Sequence, residues 1–122
     1  IRRDEKIIKR GERFIPWVYI ASPYRGNIEK NTDNARQYSL FAVQCGKLPF
    51  CPHIYFTQFL NDSIKTERRQ GLTLALHMLK RCTEMWVFGE YISSGMQREI
   101  RAARKWNIPI KYFDENCGVM EL

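Results

Sequence analysis

No stretch of this sequence approaches the roughly 18 consecutive apolar residues of a membrane-spanning helix, so no membrane partner is expected. The first residues, IRRDEKIIKRGER, are charged and lack the apolar centre of a secretion signal, which makes a cytoplasmic location the expectation. Histidine is scarce, with only His53 and His77, and the four cysteines (Cys45, Cys51, Cys82 and Cys117) form no CxxC pair. Closely spaced soft ligands are what a structural metal site needs, so no metal is expected. Cys45 and Cys82 fall where helices should end, beside apolar residues, and read as buried free thiols. Helix-turn-helix, zinc-finger and RNA-binding aromatic signatures are missing as well.

Acidic residues are in the minority. Twenty Lys and Arg face thirteen Asp and Glu, for a formal net charge of +7. The basic residues gather in the first ten positions, at Arg68 and Arg69, and along Arg98, Arg101, Arg104 and Lys105. That balance suits an anionic partner, either nucleic acid or a phosphorylated small molecule. It also suits ordinary solvated helix faces. Without a nucleic-acid motif, binding through the basic surface stays possible but is not favoured.

The chain has 122 residues, 44% of them apolar, which is enough for one domain and too few for two independent cores. Residues 1–13 read as a basic N-terminal arm and residues 14–122 as one domain. Within it, FIPWVYIAS is a continuous apolar run closed by Pro23 and Gly26, the signature of a buried strand and a turn. A helix is expected from about Ile28 to Cys45, with Ala35, Tyr38, Phe41 or Ala42, and Cys45 at helical spacing and Gly46 as its stop. KLPFC, residues 47–51, reads as a second strand, at an edge because of Pro49. PHIYFTQFLNDSIK, residues 52–65, shows no clean period and reads as a long functional loop. A helix from Glu67 to Arg81, a strand from Glu84 to Gly89, a helix from near Ser94 and a strand from Ile108 to Phe113 follow, and the tail reads as irregular. Strand–helix repeated three times and ending on a strand predicts a three-layer, mostly parallel α/β sheet of four or five strands. This is the flavodoxin/Rossmann-like arrangement with helices on both faces, in order 2-1-3-4. In such sheets ligands bind outside the carboxyl ends, where the strand order reverses.

Two loops emerge there. Ser22–Asn27 carries Tyr24, Arg25 and Gly26. Gly26 permits close backbone approach to a phosphate, although the loop is neither a GxGxxG nor a P-loop and could be a plain strand–helix turn. Glu90–Gly95 brings Ser93, Ser94 and Gly95 to the start of a helix, where hydroxyl and N–H groups suit an oxyanion or phosphate. Glu99 lies about one turn further on. It is either a site carboxylate or an acidic residue favoured by the helix dipole on a solvent face.

Taken in order, YIASPYRG, PHIYFTQFL, ERRQGLTLALHMLKRCTEMWVFG and SSGMQREIRAARKWNIPI resemble the nucleoside 2-deoxyribosyltransferase-like superfamily, and within it an uncharacterised branch of short bacterial and phage proteins. The resemblance runs from about Trp17 to Phe113. It implies Glu99 as the nucleophile and Ser93, with Ser94 close by, as holders of phosphate or sugar hydroxyls, and Gly95 beside them is a further substrate-binding candidate. Tyr24 falls near the sugar or phosphate, Gly26 matches the superfamily's glycine-containing turn, and Arg25 and His53 join the substrate-binding candidates. Asp62 is the candidate second acid. An aspartate common in the branch ahead of the third strand is Thr83 here, with Glu84 adjacent. The implied activity is N-glycosidic bond cleavage or deoxyribosyl transfer on a nucleoside or nucleotide, without a cofactor. Glu99 attacks the anomeric carbon, and the second carboxyl stands roughly 5 Å away by analogy with retaining glycosidases. A nucleotide-binding module without turnover is the alternative. Relatives of this kind are typically dimers or larger. The aromatic stock at Tyr38, Phe41, Tyr55, Phe56, Phe59 and Leu60 also points to a homodimer or higher homo-oligomer.

Overall fold

The structure, a computed structural model, describes residues 14–121, and the proposed basic arm lies outside them. Strand β1 (Trp17–Ala21) is buried from Val18 onward. Val18 and Ile20 enter the core on one face of the sheet, and Tyr19 and Ala21 enter the core on the other. Burial on both faces is why this strand is apolar throughout rather than alternating. The same holds for β3 (Glu84–Phe88), whose Trp86 and Phe88 join the first core and Met85 and Val87 the second.

Helix α1 (Ile28–Gln44) is capped by Asn27, whose side chain accepts from Lys30 N at 3.2 Å. Its buried residues are Ala35, Tyr38 and Ala42, spaced three and four apart. Tyr38 stacks on Phe88 with ring centroids 4.3 Å apart, and Phe41 meets Phe113 edge-on at 5.5 Å. The sheet therefore consumes these two aromatics, which the sequence reading had counted toward a subunit interface. Cys45 is exposed, contrary to expectation. It lies past the end of α1, where Gly46, at φ +80°, turns the chain away from the core. Cys82 is buried as expected.

Among the described residues strand β2 (Leu48–Phe50) pairs only with β1, and the missing N–H of Pro49 faces the edge away from it. The segment read as one long loop contains helix α2 (Pro52–Tyr55) and a 3₁₀ turn, Phe56–Gln58. Pro52 supplies the first helical residue, where a lost N–H costs nothing. Phe50, Tyr55, Phe56 and Phe59 then pack edge-to-face on one another, with centroids 5.1–6.0 Å apart.

Helix α3 (Lys65–Arg81) and helix α4 (Ser94–Lys105) cover the face opposite α1 through Ala75, Leu79, Met96, Ile100 and Ala103. Strand β4 (Ile110–Phe113) is followed by β5 (Val119–Met120), an antiparallel addition where an irregular tail was expected. The Asp114 carboxylate makes that hairpin by accepting from Asn116 N and Gly118 N, both at 2.8 Å. Sheet order is β2-β1-β3-β4-β5, with the first four strands parallel. This is the expected three-layer, flavodoxin/Rossmann-like arrangement with one strand added. Among the described residues no helix is long and apolar enough to cross a membrane.

Candidate functional site

The strands β2, β1 and β3 end at Phe50, Ala21 and Phe88, and the loops leaving them wall a cleft of about 380 Å³. Its floor is set by helix α4. Ser93 is the N-cap of that helix and accepts from Met96 N at 3.2 Å, which holds Ser94 and Gly95 at the rim. With Met96, Ile100 and Ala103 committed to the core, Glu99 falls on the flank of that stripe and lines the cleft. The Tyr19 hydroxyl donates to Glu99 Oε2. Burial raises the Glu99 carboxyl from its ordinary 4.5 to about 7, although the Tyr19 hydrogen bond and nearby Arg98 favour the ionised form. Tyr19 is itself pushed well above its ordinary value, first by burial and then by the Glu99 charge, so it remains a donor.

Seven further candidates line this cleft: Tyr24, Arg25, His53, Asp62, Ser93, Ser94 and Gly95. Gly26 does not. It adopts φ +100° and lines an adjoining, larger opening of about 670 Å³, shared by Tyr24, Arg25 and Asp62. The Arg25 side chain donates through Nε to Asp62 Oδ2 at 3.0 Å and through Nη2 to the Asp62 carbonyl at 3.3 Å. Asp62 is therefore held by a cation beside the cleft. Asn31 fixes the preceding turn by donating to the carbonyls of Tyr24 (2.9 Å) and Arg25 (3.1 Å).

Glu84 is no substitute for the aspartate replaced by Thr83. It starts β3, at the end of the sheet opposite the cleft, and is engaged by Lys47 (3.6 Å), Lys111 (3.5 Å) and the Trp86 indole N–H (2.8 Å). Thr83 instead donates from its hydroxyl to the Trp17 carbonyl at 2.9 Å.

Three features escaped the sequence reading. Tyr19 was counted only as core. A buried tyrosine hydroxyl must find a partner, and that was the available signal. Ser22 was read as a turn residue, yet it is buried and its Oγ lies 3.0 Å from His53 Nε2. Glu67, in the first turn of α3, also lines the cleft and accepts from Asn61 N at 2.7 Å.

No curated protein matches this chain. Among solved structures, a 2-deoxyribosyltransferase from the psychrotolerant bacterium Bacillus psychrosaccharolyticus superposes with a TM-score of 0.68. It is 15% identical and the match covers 86% of this chain and 77% of that one. At that identity the likeness shows a shared fold, in agreement with the resemblance drawn from the motifs. A family model described as "Domain of unknown function (DUF7768)" matches residues 16–113, from the start of β1 to the end of β4. The chain therefore belongs to the DUF7768 family.

Proposed function

We propose that this protein cleaves or transfers the N-glycosidic bond of a nucleoside or nucleotide through Glu99. The observation that carries the reading is a carboxylate lining a cleft at the carboxyl ends of the sheet, fixed by the Tyr19 hydroxyl. A carboxylate so placed can attack an anomeric carbon and stabilise the positive charge that develops on the sugar. Tyr19 aims one oxygen, and among the described residues the other has no hydrogen-bond partner. The Ser93 and Ser94 hydroxyls at the α4 N-terminus and the Arg25 and Arg68 guanidinium groups supply donors for sugar hydroxyls or a phosphate. The shared fold with a 2-deoxyribosyltransferase supports the same chemistry. Water completing the second step gives hydrolysis, and a second base gives transfer.

The test is incubation with a panel of nucleosides and their 5'-monophosphates while free base is followed. Turnover by the wild type that falls at least a thousandfold in Glu99→Gln is expected. No release from any member of the panel rejects the reading. A binding module without turnover is the second reading, favoured by the engagement of Asp62 with Arg25, which occupies the candidate second acid. Its mark is a nucleotide that binds and is recovered intact after hours.

A further inference from the structure

Ser22 and His53 form a pair inside the cleft that the glutamate chemistry leaves unused. Ser22 is 6% exposed at the end of β1, and its Oγ lies 3.0 Å from His53 Nε2. The other ring nitrogen, Nδ1, is buried among the described residues with no hydrogen-bond partner. A buried N–H left unpaired is rarer and costlier than a bare acceptor, so the ring proton belongs on Nε2. Cys51 Sγ lies 3.6 Å from the same Nε2, a weak sulfur partner that can donate or accept there. Burial lowers His53 from 6.5 to about 4, so the ring is neutral at physiological pH and carries that one proton.

A consequence follows for the serine. Its oxygen accepts from His53 Nε2–H, so its single hydrogen must point elsewhere. Among the described residues Ser22 Oγ has no other side-chain partner, and both residues line the cleft. The Tyr24 ring lies beside the imidazole, centroids 5.2 Å apart and inclined by 33°, and offers a flat apolar wall next to the hydroxyl.

We propose that Ser22, oriented by His53, is the hydrogen-bond donor that receives the departing nucleobase, selecting bases that present a carbonyl oxygen or bare ring nitrogen to it. This rests on the glycosidic reading of Glu99 for its catalytic part. As the glycosidic bond breaks, its electron pair goes to the base, whose acceptor atoms gain negative charge while the sugar carbon bonds to Glu99. A hydrogen bond from a neutral O–H to the base is then strengthened in the transition state. It also serves where Asp62 is engaged by Arg25. The final proton on the base comes from water, since Ser22 only donates a hydrogen bond. Ser22 acts on the base directly, and His53 is a positioning residue.

The experiment has two arms. Long-range ¹H–¹⁵N correlation spectra of the wild type report the His53 tautomer without any ligand. The Nε2–H form is expected, and the Nδ1–H form or a charged ring at pH 7 overturns the proposal. In the second arm, thymine, uracil, cytosine, adenine and hypoxanthine are titrated by calorimetry into wild type and Ser22→Ala. At least one base is expected to bind, and about tenfold more weakly to the variant. Binding of no base by the wild type, or equal binding by both, overturns it. Should a base bind in this way while no nucleoside is turned over, the donor assignment stands and the glycosidic reading fails. Where turnover exists, Ser22→Ala is expected to slow natural nucleosides more than a deoxyriboside with a nitrophenolate leaving group. Equal slowing of both overturns the transition-state role, because a purely structural loss does not discriminate between leaving groups.

Discussion

Replacing Glu99 by glutamine should strengthen the fold at alkaline pH while abolishing the proposed activity. The carboxyl rises from 4.5 to about 7 because burial outweighs the Tyr19 hydrogen bond and Arg98. A group with a raised folded value binds more protons in the native state, so its contribution to stability is full below 4.5 and is lost as pH climbs through 7. By linkage the loss at pH 8.5 is about 3 kcal/mol. Glutamine keeps an oxygen for the Tyr19 hydroxyl but brings an N–H₂ into the cleft, at a cost of about 1 kcal/mol. Glu99→Gln is thus expected to be about as stable as wild type at pH 5, where the carboxyl has already lost about 1 kcal/mol, and about 2 kcal/mol more stable at pH 8.5. His53 shapes the curves of both proteins and cancels in their difference. Burial lowers it from 6.5 to about 4, so its contribution is present above 6.5 and lost as pH falls through 4. The two groups have opposite slopes between pH 4.5 and 6.5 and nearly cancel there. The variant removes one of them and should reveal the rise due to His53. Urea unfolding at fixed protein concentration, followed by tryptophan fluorescence at pH 5, 6.5 and 8.5, measures the difference. A gap between variant and wild type that does not change with pH refutes the claim that Glu99 is buried and proton-linked.

Tyr19→Phe removes the donor that favours the ionised carboxylate, so Glu99 should titrate higher and the rising limb of kcat/KM, expected near pH 7, should move to higher pH. The variant should also lose about 1 kcal/mol of stability, and an unmoved limb denies the coupling. Glu84→Gln should cost about 1–2 kcal/mol at pH 7 and flatten the acid limb of stability. Burial alone raises Glu84, but the Trp86 N–H, Lys111 and Lys47 together hold it below 4.5, so its contribution is present above that value and lost as pH falls. Equal acid sensitivity in variant and wild type rejects this assignment. Tyr55 and Phe59 remain 54% and 59% exposed on the α2 side, and an assembly larger than the 14.6 kDa chain is expected in sedimentation equilibrium at micromolar concentration. A single species of monomer mass counts against a homo-oligomer.

The elements that could be read from sequence are those whose burial is decided within one segment. β1 and β3 are covered on both faces, so each is a bare apolar run, and α1 and α4 each keep a stripe of one type long enough to show a period. The misses are segments too short for a period to develop. Four residues of α2 make barely one turn, and their aromatics pack on one another as well as on the sheet, so no stripe forms. β5 has two residues and owes its place to the side chain of Asp114, a local hydrogen-bonding choice that composition does not announce. The error over Cys45 has the same root. The spacing from Tyr38 and Ala42 points it inward only if the helix continues, and α1 stops one residue before it.

The site was legible as positions and illegible as pairs. Glu99 sits three residues after Met96 and one before Ile100, and that register is compatible with either the flank of the core or the solvent face. What separates the two is the Tyr19 hydroxyl, eighty residues earlier in the chain. No periodicity within α4 encodes that contact. It exists because parallel pairing sets Tyr19 against Met85 in the middle of the sheet, where a phenol of full length reaches past the backbone to the helix above. Ser22 and His53 meet across thirty-one residues for the same reason: β1 and β2 are neighbours, and the chain leaves both at the same end. Asp62 shows the converse. The resemblance offered it as the candidate second acid, and the loop that carries it delivers it to Arg25. In this fold the strand order decides which loops converge, and the side chains on them acquire chemical character only from whichever partner convergence supplies.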